Sequence, residues 1–190
     1  VRIDVGVESG NPEVRQKMKK GLKNERIVRL HKHCKKIGLR TGTFLMVGNF
    51  GEDMESVKMT ANLMKGLTDD PAIAIACPYP GTELYQIAKK GGYLLSEDWS
   101  KYGTAPTFLG NYEPVMYTDK MNPRQILEAY YYMCSVFATD KWRARYGRYF
   151  YLNPRFMYEY GFKTKQFGGY KRKAFLAKNL LNWTVKRWIE

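Results

Sequence analysis

Three short segments hold the residue types that could do chemistry here. Glu8-Ser9-Gly10 puts a carboxylate and a hydroxyl beside a glycine, and Gly48-Asn49-Phe50-Gly51-Glu52 sets a polar side chain between glycines. Cys77-Pro78-Tyr79-Pro80-Gly81-Thr82 joins a thiol to a turn rich in Pro and Gly. An acidic acceptor suits sugar hydroxyls or an ammonium group, and glycines let main-chain N–H and C=O groups approach a ligand closely. Taken singly, each segment reads as a tight turn.

Their setting makes them more than that. Residues 1–7 are β-branched and extended, residues 12–20 and 25–36 have helical spacing with Asn24 as N-cap and Gly38 just past the end, and residues 40–47 form a second apolar run. A helix over 54–66, a strand over 72–77 and a helix over 83–90 capped by Thr82 complete a βαβαβα order. That order predicts an α/β fold with parallel strands and helical crossovers, and continuous apolar strands fit a sheet covered by helices. In such sheets ligands sit at the carboxyl ends of the strands, where the βα loops present helix N-termini and free N–H groups. All three segments fall at those ends, in order.

Gly6-Val7-Glu8-Ser9-Gly10, the run from Phe44 to Glu52 and the run from Pro78 to Tyr85 resemble the radical S-adenosylmethionine enzymes, particularly the branch with an N-terminal cobalamin-binding domain. The resemblance covers residues 1–95. It implies the C-terminal half of a partial (β/α) TIM-like barrel, its fourth to sixth strands as three βα units, followed by an α-helical extension. It further implies that Glu8 and Ser9 contact the ribose or methionine part of S-adenosylmethionine, with Gly10 in the same turn. The backbone at Gly48 would lie on the adenosine side, and Pro78, Tyr79, Pro80 and Gly81 would offer main-chain groups to adenine. Asn49-Phe50 stands where Leu-Pro is usual, and Cys77 where Thr is common.

The family's CxxxCxxC loop, which gives three thiolates to a 4Fe–4S cluster, is not in this sequence. Cluster and first strands are therefore expected upstream, in a missing N-terminal portion that acts as this segment's partner, and the chain begins with Val1 rather than Met. The implied chemistry is reductive cleavage of the cofactor to a 5′-deoxyadenosyl radical that attacks a small-molecule substrate, with cobalamin bound still further upstream in that branch. Alone, the chain is expected to be inactive, and its first strand to be an open edge prone to aggregation. The competing class is a non-catalytic basic α/β module that binds RNA or an anionic membrane.

Cys34, Cys77 and Cys134 lie far apart with no CxxC pair, which fits a reducing, cytoplasmic setting and no disulfide framework. Cys77, at a strand end, invites a role as ligand or radical carrier, but a small buried residue is the plainer reading. Cys34, with Leu30 and Ile37 near it, and Cys134 read as core. His31 and His33, two apart on one helix, point different ways and suit no shared metal.

Of the net charge of +14, residues 141–190 hold +11, thirteen Lys or Arg against two Glu, together with half of the aromatics. Residues 1–140 hold 19 basic and 16 acidic residues. Residues 96–121 read as a lid-like connection, and residues 122–190 as a helical extension. Its first helix begins at an Asn122-Pro123 capping signal completed by Gln125 and runs to about residue 145. Asn153-Pro154 repeats the signal, and 170–189 reads as a last helix. Residues 171–190, with Lys171, Arg172, Lys173, Lys178, Lys186, Arg187, Trp183 and Trp188, suit peripheral contact with an anionic membrane, RNA, docking on the upstream domains, or an ordinary solvated face. No apolar run is long enough to span a bilayer.

Overall fold

The computed structural model describes residues 1–103 and 113–146. The chain forms two compact units, Val1–Met133 and Cys134–Glu190. Strands β1 (Arg2–Glu8), β2 (Arg40–Val47) and β3 (Asp70–Ile75) form one parallel sheet in the order β1-β2-β3. Helices α1 (Pro12–Lys17) and α2 (Asn24–Lys36) join β1 to β2, α3 (Met54–Met64) joins β2 to β3, and α4 (Glu83–Lys90) follows β3. A short 3-10 turn at Trp99–Lys101 precedes helix α5 (Pro123–Tyr146).

The βαβαβα reading holds, with local corrections. β3 starts at Asp70 and stops at Ile75, rather than running from 72 to 77. It tolerates Pro71 because it lies at the side of the sheet, where a missing donor costs no ladder bond. The first helix stops at Lys17, three residues short of expectation, because Lys19 turns left-handed (φ +58°) and Lys20 N–H reaches back to the Arg15 carbonyl at 2.9 Å. Asn24 is the first residue of α2 and not its cap; its amide is engaged elsewhere, and Lys23 in the cap position makes no side-chain bond. Gly38 (φ +71°) ends α2 as expected, and Thr82 caps α4 through Tyr85 N–H.

Register fixes the two faces of the sheet. Val5 and Pro71 flank Thr43, and Gly6 and Ala72 flank Phe44. The Thr43 face meets α2: His31 is fully buried, with Nε2 2.9 Å from Thr43 Oγ1 and Nδ1 2.9 Å from the Ile27 carbonyl. The buried stripe of α2 is thus Ile27, His31 and Cys34, at helical spacing. Leu30 and Ile37, expected beside Cys34, are exposed. Burying Ile27 alone is worth roughly 1.5–3 kcal/mol. On the opposite face Phe44 keeps 49% of its surface and Ala72 is exposed, so the described residues leave that side open. Towards the strand starts, Asp4 and Arg2 fill the space over Gly42 and join Asp70 and Arg40 in an ion-pair network.

The modest net charge of residues 1–140 conceals a strongly basic stretch. Residues 15–40 hold eleven Lys or Arg against Glu25, and Arg26, Arg29, Lys32, Lys35 and Lys36 stand on the solvent side of α2. Among the described residues no helix is long and apolar enough to cross a membrane. The expected helix over 170–189, the Asn153-Pro154 start and the residues offered for membrane or RNA contact lie outside the described residues.

Candidate functional site

All three strand-end segments lie at the carboxyl end of the sheet, and each is shaped differently. At β1 the pairing slips: Gly6 pairs with Phe44 but Glu8 with Leu45, a bulge that re-aims the strand end. Glu8 takes φ +64°, and Ser9 N–H bonds the Val7 carbonyl at 2.8 Å, a γ-turn of the rare positive-φ kind. Such a conformation costs about 1–3 kcal/mol for a non-glycine residue and tends to occur where function needs it. Its result is specific. The Glu8 carboxylate folds back over Gly6 on the open face, with Oε1 2.7 Å from where a Cβ on Gly6 would stand, and pairs with Lys20 Nζ at 3.1 Å.

Ser9 and Gly10 point elsewhere. Ser9 is fully buried; its hydroxyl lies 3.3 Å from Thr60 Oγ1 on α3 and accepts Asn11 N–H at 3.2 Å. Gly10 N–H donates to Thr60 Oγ1 at 2.7 Å, and a Cβ there would meet the Thr60 Cα at 2.6 Å and its nitrogen at 2.9 Å. The close approach that requires this glycine is to helix α3. Behind the turn, the buried Arg15 guanidinium donates to the Ser9 carbonyl, to the Leu22 carbonyl at 2.9 Å and to Asn24 Oδ1 at 2.6 Å. Burial lowers its pKa, with Glu25 opposing. Asn24 in turn donates to the Gly10 carbonyl at 3.2 Å. Arg15 therefore fixes the path that presents Glu8.

At β2 the loop winds around one carboxylate. Gly48 (φ +83°) and Gly51 (φ +79°) supply left-handed turns, and Glu52, the residue after Gly51, is fully buried. Its Oε2 accepts Gly48 N–H at 2.7 Å and Asn49 N–H at 3.3 Å, while Oε1 has no partner among the described residues. Burial pushes the Glu52 pKa up to about 7 despite those two bonds. Asn49, only 4% exposed, likewise leaves its side-chain nitrogen without a partner. Asp53 caps α3 through Ser56 N–H, and that bond first of all holds its pKa down at about 2.

At β3 Pro78 is buried, and Tyr79, Pro80 and Gly81 are exposed, with open space beside Gly81 (φ +82°). Thr82 closes the turn on the Tyr79 carbonyl at 2.6 Å. Cys77 is 7% exposed; burial raises its thiol pKa, against hydrogen bonds from the Tyr79 side chain and the Gly103 backbone, so it stands as a neutral S–H. Cys34 is buried and Cys134 half-buried, so the core reading is full for the first and partial for the last. Among the described residues no three His, Cys, Asp or Glu stand together for a metal.

A cavity of about 430 Å³ opens at this end, with Met46, Asn49 and Phe50 on one side, Leu84 and Ile87 of α4 on another, and residues 17–19 over it. Met46 lies two residues past Phe44 and so shares the open face with Gly6 and the Glu8 carboxylate above it. Its largely apolar walls suit the face of a planar ring, Asn49 at its edge leaves a buried amide nitrogen without a partner among the described residues, and Glu8, outside this lining, adds a carboxylate acceptor over Gly6. Sequence reasoning singled out neither Arg15 nor Glu52. Glu52 follows Gly51 in a glycine-containing turn, which marks it as a loop residue, and nothing local marks Arg15.

Residues 1–64 match the Radical SAM superfamily model. An uncharacterised methyltransferase of Pyrococcus horikoshii is 33% identical over 122 residues, which are 64% of this chain and 25% of the relative. The bacteriochlorophyllide d C-8(2)-methyltransferase of Chlorobaculum tepidum is 29% identical over 124 residues, 61% of this chain and 27% of that protein. The chain thus spans about a quarter of the length of these relatives. Among solved structures, the radical SAM enzyme coproporphyrinogen III oxidase of Escherichia coli superposes with a TM-score of 0.51 at 18% identity, over 73% of this chain and 26% of that one. The likeness to the oxidase is one of fold. The resemblance carried by the strand-end motifs agrees with the family match over residues 1–64.

Proposed function

We propose that this chain, a radical SAM superfamily segment over residues 1–64, is the later half of a barrel that binds S-adenosylmethionine and a small-molecule substrate. The whole protein would be a methyltransferase-like enzyme, as the names of its relatives suggest. When bound next to an upstream 4Fe–4S cluster, the cofactor supplies a deoxyadenosyl radical by reductive cleavage, and in the cobalamin-dependent branch a methyl group can be relayed. The residues of this chain bind and orient. Glu8 accepts from the ribose hydroxyls or the methionine ammonium, while Arg15, Ser9 and Gly10 hold the turn that presents it. Main-chain groups at Gly48 lie along the nucleoside, Met46, Phe50, Leu84 and Ile87 keep water from its base, and the exposed backbone of residues 79–81 offers donors and acceptors to the base edge.

The observation that carries this reading is the positive φ at Glu8, where the carboxylate lies over Gly6 on the open face at the end of the sheet where such folds bind ligands. In the full-length protein, Glu8→Gln should weaken S-adenosylmethionine affinity by roughly tenfold or more, the effect of losing one charge-assisted acceptor. Equilibrium dialysis against the labelled cofactor measures it; unchanged affinity removes Glu8 from the site. An upstream reading frame without a CxxxCxxC loop would argue for the non-catalytic alternative.

A further inference from the structure

Residues 118–126 touch the β2 loop at three points. Asp119 Oδ1 accepts Gly51 N–H at 2.8 Å, and Lys120 Nζ pairs with Asp53 Oδ2 at 3.1 Å. Ile126 Cγ2 lies 3.0 Å from where a Cβ on Gly48 would stand. The residues making these contacts are held independently of the loop. Thr118 N–H bonds the Met121 carbonyl at 3.0 Å, and Met121 N–H bonds Thr118 Oγ1 at 3.1 Å, with both residues buried. Upstream, Leu95 N–H bonds Val115 and Tyr117 N–H bonds Tyr93, which ties the segment to the end of α4. Downstream, Asn122 N–H donates to the Gln125 side-chain oxygen and Gln125 N–H to Asn122 Oδ1, each at 2.9 Å, a reciprocal cap that starts α5.

Gly51 is buried, so its N–H needs a partner. Asp119, sixty-eight residues along the chain, is that partner. Without it the loop loses the acceptor that fixes its middle, between Asn49 and Phe50 on the cavity wall and the Glu52 carboxylate behind them. We infer that Asp119 is a positioning residue for cofactor binding. The segment at 118–126, outside all three strand-end motifs, sets the shape of the nucleoside-binding loop at residues 48–52. This rests on the reading of that loop as part of an S-adenosylmethionine site.

The test is titration of S-adenosylmethionine into the full-length protein, carried out where every variant is fully folded by its thermal melt. Asp119→Ala should weaken binding about tenfold, the loss expected for one hydrogen bond to a charged group. Asp119→Asn, whose oxygen still accepts from Gly51, should stay within about threefold of wild type on the same scale. Lys120→Ala, which opens an exposed pair, should change affinity by less than about twofold. An alanine variant that binds within about twofold of wild type overturns the inference, and so does an asparagine variant as weak as the alanine one, since the acceptor would then not be what matters. If the alanine variant does not fold, Asp119→Ser is titrated instead; a loss of about threefold or more supports the inference and a smaller one overturns it. Wild-type protein that fails to bind the cofactor overturns the site reading and this inference together, whereas a binding wild type with an unaffected Asp119→Ala overturns the inference alone.

Discussion

Replacing Glu52 by Gln probes the carboxylate at the centre of the β2 loop. The side chain is fully buried, two backbone N–H groups favour its anion, and its second oxygen has no partner among the described residues. Burial outweighs the two bonds and, helped slightly by Asp53, lifts the pKa from 4.5 to about 7. At about 1.4 kcal/mol per pH unit, that rise corresponds to roughly 3 kcal/mol between the charged and neutral forms in the fold. For an acid whose folded pKa is raised, the stabilisation is complete below pH 4.5 and is lost as the pH climbs through about 7. Gln keeps an acceptor for Gly48 and Asn49, puts an NH₂ where Oε1 stands alone, and carries no charge at any pH. Wild type should therefore lose stability by up to about 3 kcal/mol between about pH 5 and about pH 8.5, while Glu52→Gln does not. Urea denaturation at the two pH values measures the difference. Infrared spectroscopy should show a buried protonated carboxyl near pH 5.5 that fades by about pH 8.5 and is missing from the variant. Parallel pH profiles for the two proteins, or a carboxyl band that survives the substitution, would refute the reasoning.

Two further substitutions test the turn that presents Glu8. Gly10→Ala drives a methyl into the Thr60 backbone and displaces the bond from Gly10 N–H, so it should cost about 2–4 kcal/mol in urea denaturation. Gly38→Ala, left-handed but with nothing within 4 Å, should cost only about 1–2 kcal/mol; equal costs would show that packing against α3 is not the reason for Gly10. Arg15→Met removes the donors to Ser9, Leu22 and Asn24 and leaves acceptors unpaired, for about 3 kcal/mol, read as faster proteolysis within residues 18–24. Unchanged cleavage would remove Arg15 from that role.

Much of this was legible in the chain itself because the signals are local. Apolar runs, the glycines at residues 38, 48 and 81, the Thr82 cap and the Asn122-Gln125 pair act over a few residues, and they placed the parallel sheet, its helices and the three loops at its carboxyl end. Boundaries slipped where a distant partner intervened. Asn24 has the residue type of a cap, yet its amide is taken by Arg15 and Gly10. Leu30 and Ile37 have the hydrophobicity of core, yet His31 holds the buried position because Thr43, on the neighbouring strand, satisfies its ring.

The sequence by itself determined the family resemblance and the order in which strand-end motifs arrive, since both depend on residue types at short spacing. Only the tertiary structure decided what each motif residue faces. Glu8 turns onto the open side of the sheet while Ser9 and Gly10, its immediate neighbours, turn into helix α3. Neither the slip in β-pairing at Gly6, nor the guanidinium of Arg15 behind the turn, nor the reach of Asp119 across to Gly51 leaves a trace in local pattern. Side-chain direction at a strand end is set by pairing register and by groups far along the chain, and those exist only once the chain has folded.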